Sequence, residues 1–212
     1  MGLLRTFIAA DIPPSIQQSI QQQVHSLRNM IGNSSVRWVP VQNIHISLKF
    51  LGDVSIENVD ALTKVILGEA ESHPGFDVQV RGLGSFPNSK RARVLYIGIQ
   101  VPAELVALQR GVESACERVG YKSDSRPFSP HLTIGRVRQG ISSSDQMRIR
   151  RMLEEIKIDS LGTARVDSVH LYKSELKSTG AVYTKLFSAP LQAVIASEAK
   201  QSHNNELLRG EL

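Results

Sequence analysis

Apolar residues recur with helical spacing in four segments of the chain, while the segments between them alternate apolar and polar residues as strands do. The spacing predicts helices over residues 15–28, 56–70, 103–119 and 143–156. It predicts strands over residues 5–10, 36–39, 44–51, 76–80, 94–101, 128–137, 165–172 and 181–190, with a glycine-rich loop over 82–91. We therefore expect a single α+β domain over residues 1–191. A polar segment, 192–212, follows it, and we assign that segment no function.

The order of these elements repeats. Each half runs strand, helix, strand, helix, strand, and the second strand of each carries a His-x-Ser or His-x-Thr motif. His131 follows His45 by 86 residues, and Tyr96 follows Phe7 by 89. Such similar offsets indicate an internal duplication, with halves of roughly residues 1–88 and 89–191. We expect two pseudo-symmetric lobes, each an antiparallel sheet flanked by helices, with the two histidines facing each other across a cleft.

The composition favours a folded protein that binds anions and argues against a disordered, disulfide-bonded or membrane-spanning one. A hydrophobic fraction of 41% argues against a disordered chain, and a net charge of +5 favours anionic partners. The one cysteine, Cys116, cannot form an internal disulfide, which suits a reducing cytosol. No apolar run reaches the roughly 18 residues of a membrane span. We expect a cytoplasmic monomer with no membrane partner.

The first motif lies in the predicted strand 44–51. Side chains alternate along a strand, so His45, Ser47 and Lys49 are expected on one face. The opposite, core face is expected to carry the apolar residues Ile44, Ile46, Leu48 and Phe50. On this view Lys49 either contacts a bound anion or is simply solvated.

The second motif has the same pattern, with His131 and Thr133 on one face of their strand. Imidazole has an ordinary pKa of about 6.5, so one histidine can be protonated while the other is neutral. A hydroxyl two residues further along can donate to a phosphate oxygen. A lone histidine on a strand is more often structural, so the prediction of an acid–base pair acting on a phosphodiester depends on both copies.

Other candidate sites are weaker. No His, Cys, Asp and Glu cluster has zinc-like spacing, and there is no phosphate-cradling loop or dinucleotide fingerprint, so we expect no metal and no cofactor. Trp38 suits either base stacking or a half-buried place in its strand. His170 suits the surface of a sheet better than catalysis.

The two motifs and their flanking residues resemble a known family, the two-histidine phosphoesterases. Within it the chain is most similar to the RNA 2′,3′-cyclic phosphodiesterases, formerly called 2′-5′ RNA ligases. The resemblance runs from about Arg5 to Leu191. It includes Arg5-Thr6-Phe7-Ile8-Ala9, Arg37-Trp38-Val39-Pro40, His45-Ile46-Ser47-Leu48-Lys49-Phe50-Leu51-Gly52, Phe86-Pro87 before Arg93-Val94-Leu95, and Phe128-Ser129-Pro130-His131-Leu132-Thr133-Ile134-Gly135-Arg136.

This resemblance implies a bilobal α+β fold and metal-independent hydrolysis of a 2′,3′-cyclic phosphate. It implies that His45 is the acid that protonates the leaving 3′ oxygen and that His131 is the base that activates water, giving a 2′-phosphate. It also implies that Ser47, Thr133 and Arg136 hold the phosphate. Strict alternation puts Arg136 on the face opposite His131, so it reaches the cleft only if the strand ends, twists or bulges near Gly135.

The expected partner is RNA with a 2′,3′-cyclic phosphate end, such as RNA derived from tRNA. Two alternatives stay open at this point. One is 2′-5′ RNA ligation in the reverse direction at the same site, with the acid and base roles exchanged. The other is an RNA-binding module whose basic cleft does not catalyse a reaction.

Overall fold

The structure is a computed structural model that describes residues 2–178 and 180–193 of the chain. The strands are β1 Leu3–Asp11, β2 Val36–Trp38, β3 His45–Ser55, β4 Phe76–Phe86, β5 Val94–Gln100, β6 His131–Val137, β7 Ser160–Val166, β8 Ser168–Lys177 and β9 Gly180–Pro190. The helices are α1 Pro14–Ile31, α2 Val59–Glu71, α3 Ala103–Arg118 and α4 Ser143–Glu155. Most of the predicted segment 192–212 lies outside the described residues.

Two antiparallel sheets form the framework, as the sequence predicts. The first has the strand order β3-β1-β8-β9, and the second has the order β2-β6-β5-β4-β7. Apart from the short edge strand β2, the orders correspond one to one, with β3, β1, β8 and β9 matching β6, β5, β4 and β7. Helices α2 and α3 contact the first sheet, whereas α1 and α4 contact the second. The fold is therefore pseudo-symmetric.

The halves 1–88 and 89–191 do not form separate lobes, and this part of the sequence interpretation is wrong. Strands β2 and β4 come from the first half but lie in the second sheet, while β8 and β9 come from the second half and complete the first sheet. Each pair of helices also takes one helix from each half. The two halves thus exchange elements, and buried residues of both sheets join in one hydrophobic core.

Two stretches differ from the predicted elements. β4 continues to Phe86 through the segment predicted as a loop, because a bulge follows Val80 and the register resumes at Leu83. Gly82 has a φ of +80° there, a conformation that glycine adopts without strain. The single strand predicted over 165–172 is two strands, β7 and β8, because the chain passes from one sheet to the other after Val166.

The two motif strands meet where the sheets adjoin. β3 is the edge strand of the first sheet, and it contacts β6 of the second. Residues 39–44 alone connect β2, which pairs with β6, to β3. This short connection keeps the start of β3 beside β6 and so brings the two motifs together.

Candidate active site

His45 is the first residue of β3, and the preceding turn orients its ring. The His45 Nδ1 atom lies 2.9 Å from the carbonyl oxygen of Asn43. The Asn43 amide in turn donates to the carbonyl of Ala181 on β9 at 2.8 Å, which ties the turn to the sheet. A carbonyl can only accept a hydrogen bond, so Nδ1 carries the hydrogen. Nε2 is then the nitrogen that can exchange a proton.

His131 repeats this arrangement at the start of β6. Its Nδ1 lies 2.8 Å from the carbonyl oxygen of Ser129, again two residues earlier in the chain. The same argument makes Nδ1 the donor and leaves Nε2 for proton exchange. The two imidazoles are close enough that the charge of one affects the pKa of the other.

Both motif strands contain the same bulge. In β3, Ala9 pairs with Ser47 but Ile8 pairs with Lys49, so Leu48 is the extra residue. In β6, Tyr96 pairs with Thr133 but Leu95 pairs with Gly135, so Ile134 is the extra residue. The register therefore equates Tyr96 with Ala9, an offset of 87 residues, and not with Phe7 as the sequence suggests. Ser47 and Thr133 take equivalent, half-buried places beside their histidines.

These bulges correct the predicted faces of the first motif. The Lys49 side chain is 1% exposed and pairs with Glu113 on α3, while it donates to the carbonyl of Lys122 at 2.8 Å. It therefore neither contacts a bound anion nor is solvated. Phe50, predicted in the core, is 67% exposed, and its ring centroid lies 6.1 Å from that of Phe7.

Arg136 lies on the histidine side because of the second bulge. Its position in β6 corresponds to that of Phe50 in β3, and both side chains are exposed. Burial raises the pKa of the Tyr183 phenol, and the nearby Arg136 guanidinium opposes that rise. Of the three conditions under which Arg136 was expected to reach the cleft, an end, a twist or a bulge of the strand near Gly135, the register shows a bulge. A Cβ at Gly135 would lie 2.8 Å from a Val36 methyl group, so only glycine fits this close approach of β2.

Aromatic rings enclose the imidazole of His45. Phe7 stacks on it with centroids 4.8 Å apart, and Tyr183 meets it edge-on at 5.5 Å. Burial among these rings lowers the pKa of His45 to about 4. The hydrogen bond to Asn43 and the charge of Asp11 act in the opposite direction. The imidazole is therefore neutral at pH 7 in the free protein.

Aromatic rings also contact the imidazole of His131. Phe86 meets it edge-on at 4.9 Å, and Tyr96 lies 5.2 Å away. Phe86 and Tyr96 stack on each other at 4.6 Å. A Cβ at Gly84 would collide with the Tyr96 ring, so this glycine leaves space for the ring beside the histidine.

A polar cluster beside His45 escaped the sequence analysis. Asp11 pairs in register with His45, and its carboxylate accepts hydrogen bonds from Tyr172 at 2.6 Å and Lys185 at 2.9 Å. Burial alone would raise the pKa of Asp11, but these two bonds, together with the charges of His170 and Lys185, outweigh it and lower the pKa. Alternation along β1 puts Phe7, Ala9 and Asp11 on one face, so this period was the signal that could have identified Asp11.

The remaining candidates are structural. Trp38 is buried in its strand and packs against Gly135, away from any place where a base could stack on it. His170 is 4% exposed, not on a sheet surface, and its ring nitrogens contact the hydroxyls of Ser168 and Ser188. Cys116 is a buried free thiol whose pKa burial raises to about 11.

The described residues contain neither a cluster of metal ligands nor a membrane-spanning helix. No three His, Cys, Asp or Glu side chains between residues 2 and 178 or 180 and 193 are grouped to bind one metal ion. Among the helices of that part of the chain, none is long and apolar enough to cross a membrane.

Comparison with known proteins identifies the family. Residues 6–177 match the model of the 2′-5′ RNA ligase superfamily. The chain is 31% identical over 183 residues to an RNA 2′,3′-cyclic phosphodiesterase of Archaeoglobus fulgidus, a match that covers 86% of this chain and 98% of the relative. An RNA 2′,3′-cyclic phosphodiesterase of Methanothermobacter thermautotrophicus is 29% identical over 183 residues, covering 86% and 96%.

A solved structure agrees with these sequence matches. The crystal structure of Escherichia coli LigT complexed with 3′-AMP superposes with a TM-score of 0.71 at 27% identity, covering 90% of this chain and 99% of that one. Residues 6–177 contain both histidine motifs and the strands β3 and β6 that carry them. The chain therefore belongs to the 2′-5′ RNA ligase superfamily.

Proposed function

We propose that this chain hydrolyses the 2′,3′-cyclic phosphate at an RNA 3′ end to a 2′-phosphate, with His45 as proton donor and His131 as proton acceptor. The observation that carries the proposal is the matched pair of imidazoles, each with Nδ1 bonded to a backbone carbonyl and Nε2 left for proton exchange. The names of the two archaeal relatives support this substrate.

The reaction needs one group that takes a proton from the attacking water and one that gives a proton to the leaving oxygen. Nε2 of His131 accepts a proton from water while the water oxygen bonds to phosphorus. The bond from phosphorus to O3′ breaks, and Nε2 of His45 gives its proton to O3′. The products are a 2′-phosphomonoester and a free 3′ hydroxyl, and the two imidazoles then recover their starting states by exchange with solvent.

Three further side chains hold the phosphate in this proposal. Ser47 and Thr133 take equivalent places next to the bulges, so their hydroxyls can donate to the nonbridging oxygens from opposite sides. Arg136 brings a permanent positive charge to the histidine side, where it balances the charge of the phosphoryl group in the transition state. The equivalent position in β3 is Phe50, so only one side of the cleft supplies an arginine at this place.

The low pKa of His45 fits the role of acid once the substrate is bound. At pH 7 a group with a pKa of about 4 is almost entirely deprotonated. An anionic phosphate placed against Nε2 favours the imidazolium and raises this pKa. A protonated imidazole held in such a buried site is a stronger acid than a solvated one, which assists transfer to O3′.

Hydrolysis of a defined RNA tests the proposal. The substrate is an oligonucleotide ending in a 2′,3′-cyclic phosphate, with a chelator present. His45→Ala and His131→Ala are each expected to lose a factor of about 10² or more in rate. His25→Ala, which changes an exposed histidine on α1, is the matched control and should retain the rate. Near-normal hydrolysis by either motif variant, or wild-type activity that the chelator abolishes, would contradict the mechanism.

A second substrate assigns the two roles. A cyclic phosphate in which sulfur replaces O3′ has a leaving group that needs little protonation. On this substrate His45→Ala should recover most of its lost rate, because the acid is no longer required. His131→Ala should stay impaired. Recovery by His131→Ala instead would exchange the acid and base roles.

The same preparation distinguishes the alternatives. A second RNA with a 5′ hydroxyl in the assay reveals ligation as a longer product, and binding without any product identifies a non-catalytic module.

The proposal extends to tRNA-derived ends as substrates and to a cytoplasmic monomer. Sequencing of the RNA ends processed in cells, cell fractionation and light scattering of the purified chain test these three points.

A further inference from the structure

A basic groove lies beyond the end of β6. Its volume is about 690 Å³, and it lies between the segment that follows β4 and the start of α4. Four cationic side chains line it, namely Lys90, Arg91, Arg93 and Arg138. All four are exposed, and the groove lining contains no Asp or Glu.

These cations lack the acidic partners that the arginines of a neighbouring helix have. On the neighbouring helix α4, Arg148, Arg150 and Arg151 each pair with an acidic side chain of the same helix. Within residues 2–178 and 180–193, the structure shows no ion pair to any of the four groove cations. A concentration of unbalanced positive charge in one groove favours an anionic ligand.

The positive charge continues from the groove to the histidines. Arg37 on β2 pairs in register with Arg136 on β6, so two arginines lie side by side on one face. Like charges directly opposite each other destabilise a sheet. Neither arginine has an acidic partner in the described part of the chain, so a bound anion would relieve the repulsion between them.

Backbone contacts join the groove directly to the active site. Phe86 packs against the ring of His131, and the next residue, Pro87, lines the groove. The Arg93 amide donates to the carbonyl of Phe86 at 2.7 Å, and the Arg93 carbonyl accepts from Val137 at 2.9 Å. Arg138 follows Arg136 by two residues and extends the ladder by donating its amide hydrogen to Ser35 at 2.9 Å. The cations thus form one path that leads away from the histidines.

We propose that this path binds the phosphate backbone of the RNA strand on the 5′ side of the cyclic phosphate. The inference rests on the proposed function for the identity of the ligand. One cyclic phosphate is already satisfied by two hydroxyls and Arg136, so the four groove cations have no role with a mononucleotide. Exposed arginines and lysines along a groove are how proteins follow a single strand without reading its sequence.

Binding of a product RNA tests the groove separately from catalysis. The probe is a short fluorescent RNA ending in a 2′-phosphate, which the protein cannot turn over, titrated at about 50 to 200 mM salt. The groove variant is Arg91→Gln/Arg93→Gln/Arg138→Gln. The matched control removes three exposed charges from α2 and α3, as Lys64→Gln/Arg110→Gln/Arg118→Gln.

The groove variant is expected to bind the probe at least tenfold more weakly at low salt. Its slope of log affinity against log salt should fall by about 2, because each lost phosphate contact on a single strand contributes about 0.7. The control variant should keep both values. In the hydrolysis assay, the ratio of kcat/KM for a cyclic oligonucleotide to that for a cyclic mononucleotide should fall with the groove variant alone.

The outcomes separate the two proposals. If the groove variant keeps both its affinity for the probe and its kcat/KM ratio, the proposed RNA-binding role of the groove is refuted, even if hydrolysis proceeds as proposed. If the control variant loses as much affinity, the role is refuted too, because the loss then follows from the lower net charge alone. Absence of hydrolysis by the wild type together with groove-dependent binding overturns the proposed function and leaves the groove as an RNA site.

Discussion

Lys49 gives the sharpest test of how the motif strand is built. The sequence places it on the histidine face, where it would touch phosphate or solvent, but the bulge at Leu48 turns it toward α3. There it pairs with Glu113 and donates to the carbonyl of Lys122 at 2.8 Å. Replacement by methionine keeps most of the length of the side chain and removes the charge. Glu113 is then left without its partner.

The magnitude follows from the burial of this pair. Removing one partner of a buried ion pair costs about 3–5 kcal/mol. The Glu113 side chain keeps 14% exposure and so some solvation, which favours the lower end of this range, about 3 kcal/mol. In a chain of this size each kcal/mol lowers Tm by about 2–4 °C. Lys49→Met should therefore lower Tm by about 10 °C.

Thermal and urea unfolding measure this loss, and a double variant isolates its cause. Lys49→Met/Glu113→Met removes both charges, so it should lose less free energy of unfolding than Lys49→Met alone. At a temperature where it is folded, the double variant should hydrolyse the cyclic substrate with a KM close to that of the wild type. A single variant that loses under 1 kcal/mol, or a double variant with a strongly raised KM, would refute the buried pairing.

Three further predictions concern the same strands. Phe50→Ala should raise KM for RNA, because the exposed ring lies on the His45 side and base stacking contributes about 1–3 kcal/mol; an unchanged KM would leave the ring without a role in binding. Gly135→Ala should lower the free energy of unfolding by about 1–3 kcal/mol, since its Cβ would press on the buried Val36, and chemical denaturation would show it. The pKa of His45 is lowered to about 4, so the unfolded chain binds more protons between pH 4 and 6.5 and stability should rise with pH across that window. Denaturation of the wild type against His45→Phe at several pH values should show a steeper rise in the wild type, because burial also lowers the pKa of His170, which both proteins keep.

The two motifs could be identified from the sequence, but the faces of their side chains could not be assigned by alternation alone. Alternation places His45 and Ser47 together correctly because they precede the bulge. It fails at Lys49 and Phe50 because Leu48 adds one residue to the strand. The duplication contained the missing information. If Arg136 needs a bulge after Thr133 to reach the cleft, the equivalent bulge after Ser47 would bury Lys49 and expose Phe50.

The exchange of elements between the halves has a different physical origin. Periodicity reports which face of a strand is apolar, but not which strand it pairs with. β4 is apolar on one face whether it pairs with β1 or β5, and it is its pairing with β5 and β7 that places it in the second sheet. Periodicity also missed that β4 continues through residues 82–86. The glycines there predict a loop, but in the structure Gly82 allows the bulge and Gly84 leaves space for the ring of Tyr96.

The departures from pseudo-symmetry explain how two similar histidines can take different roles. A carboxylate, Asp11, pairs in register with His45, whereas Gly98, which has no side chain, pairs with His131. Asp11 raises the pKa of His45, which reduces the larger, opposite effect of burial on this pKa without reversing it. Across the cleft, Arg136 takes the place that Phe50 holds in the first motif. The duplicated frame thus supplies two proton-exchanging groups, and single-residue differences place a carboxylate beside His45 and an exposed arginine on the side of His131.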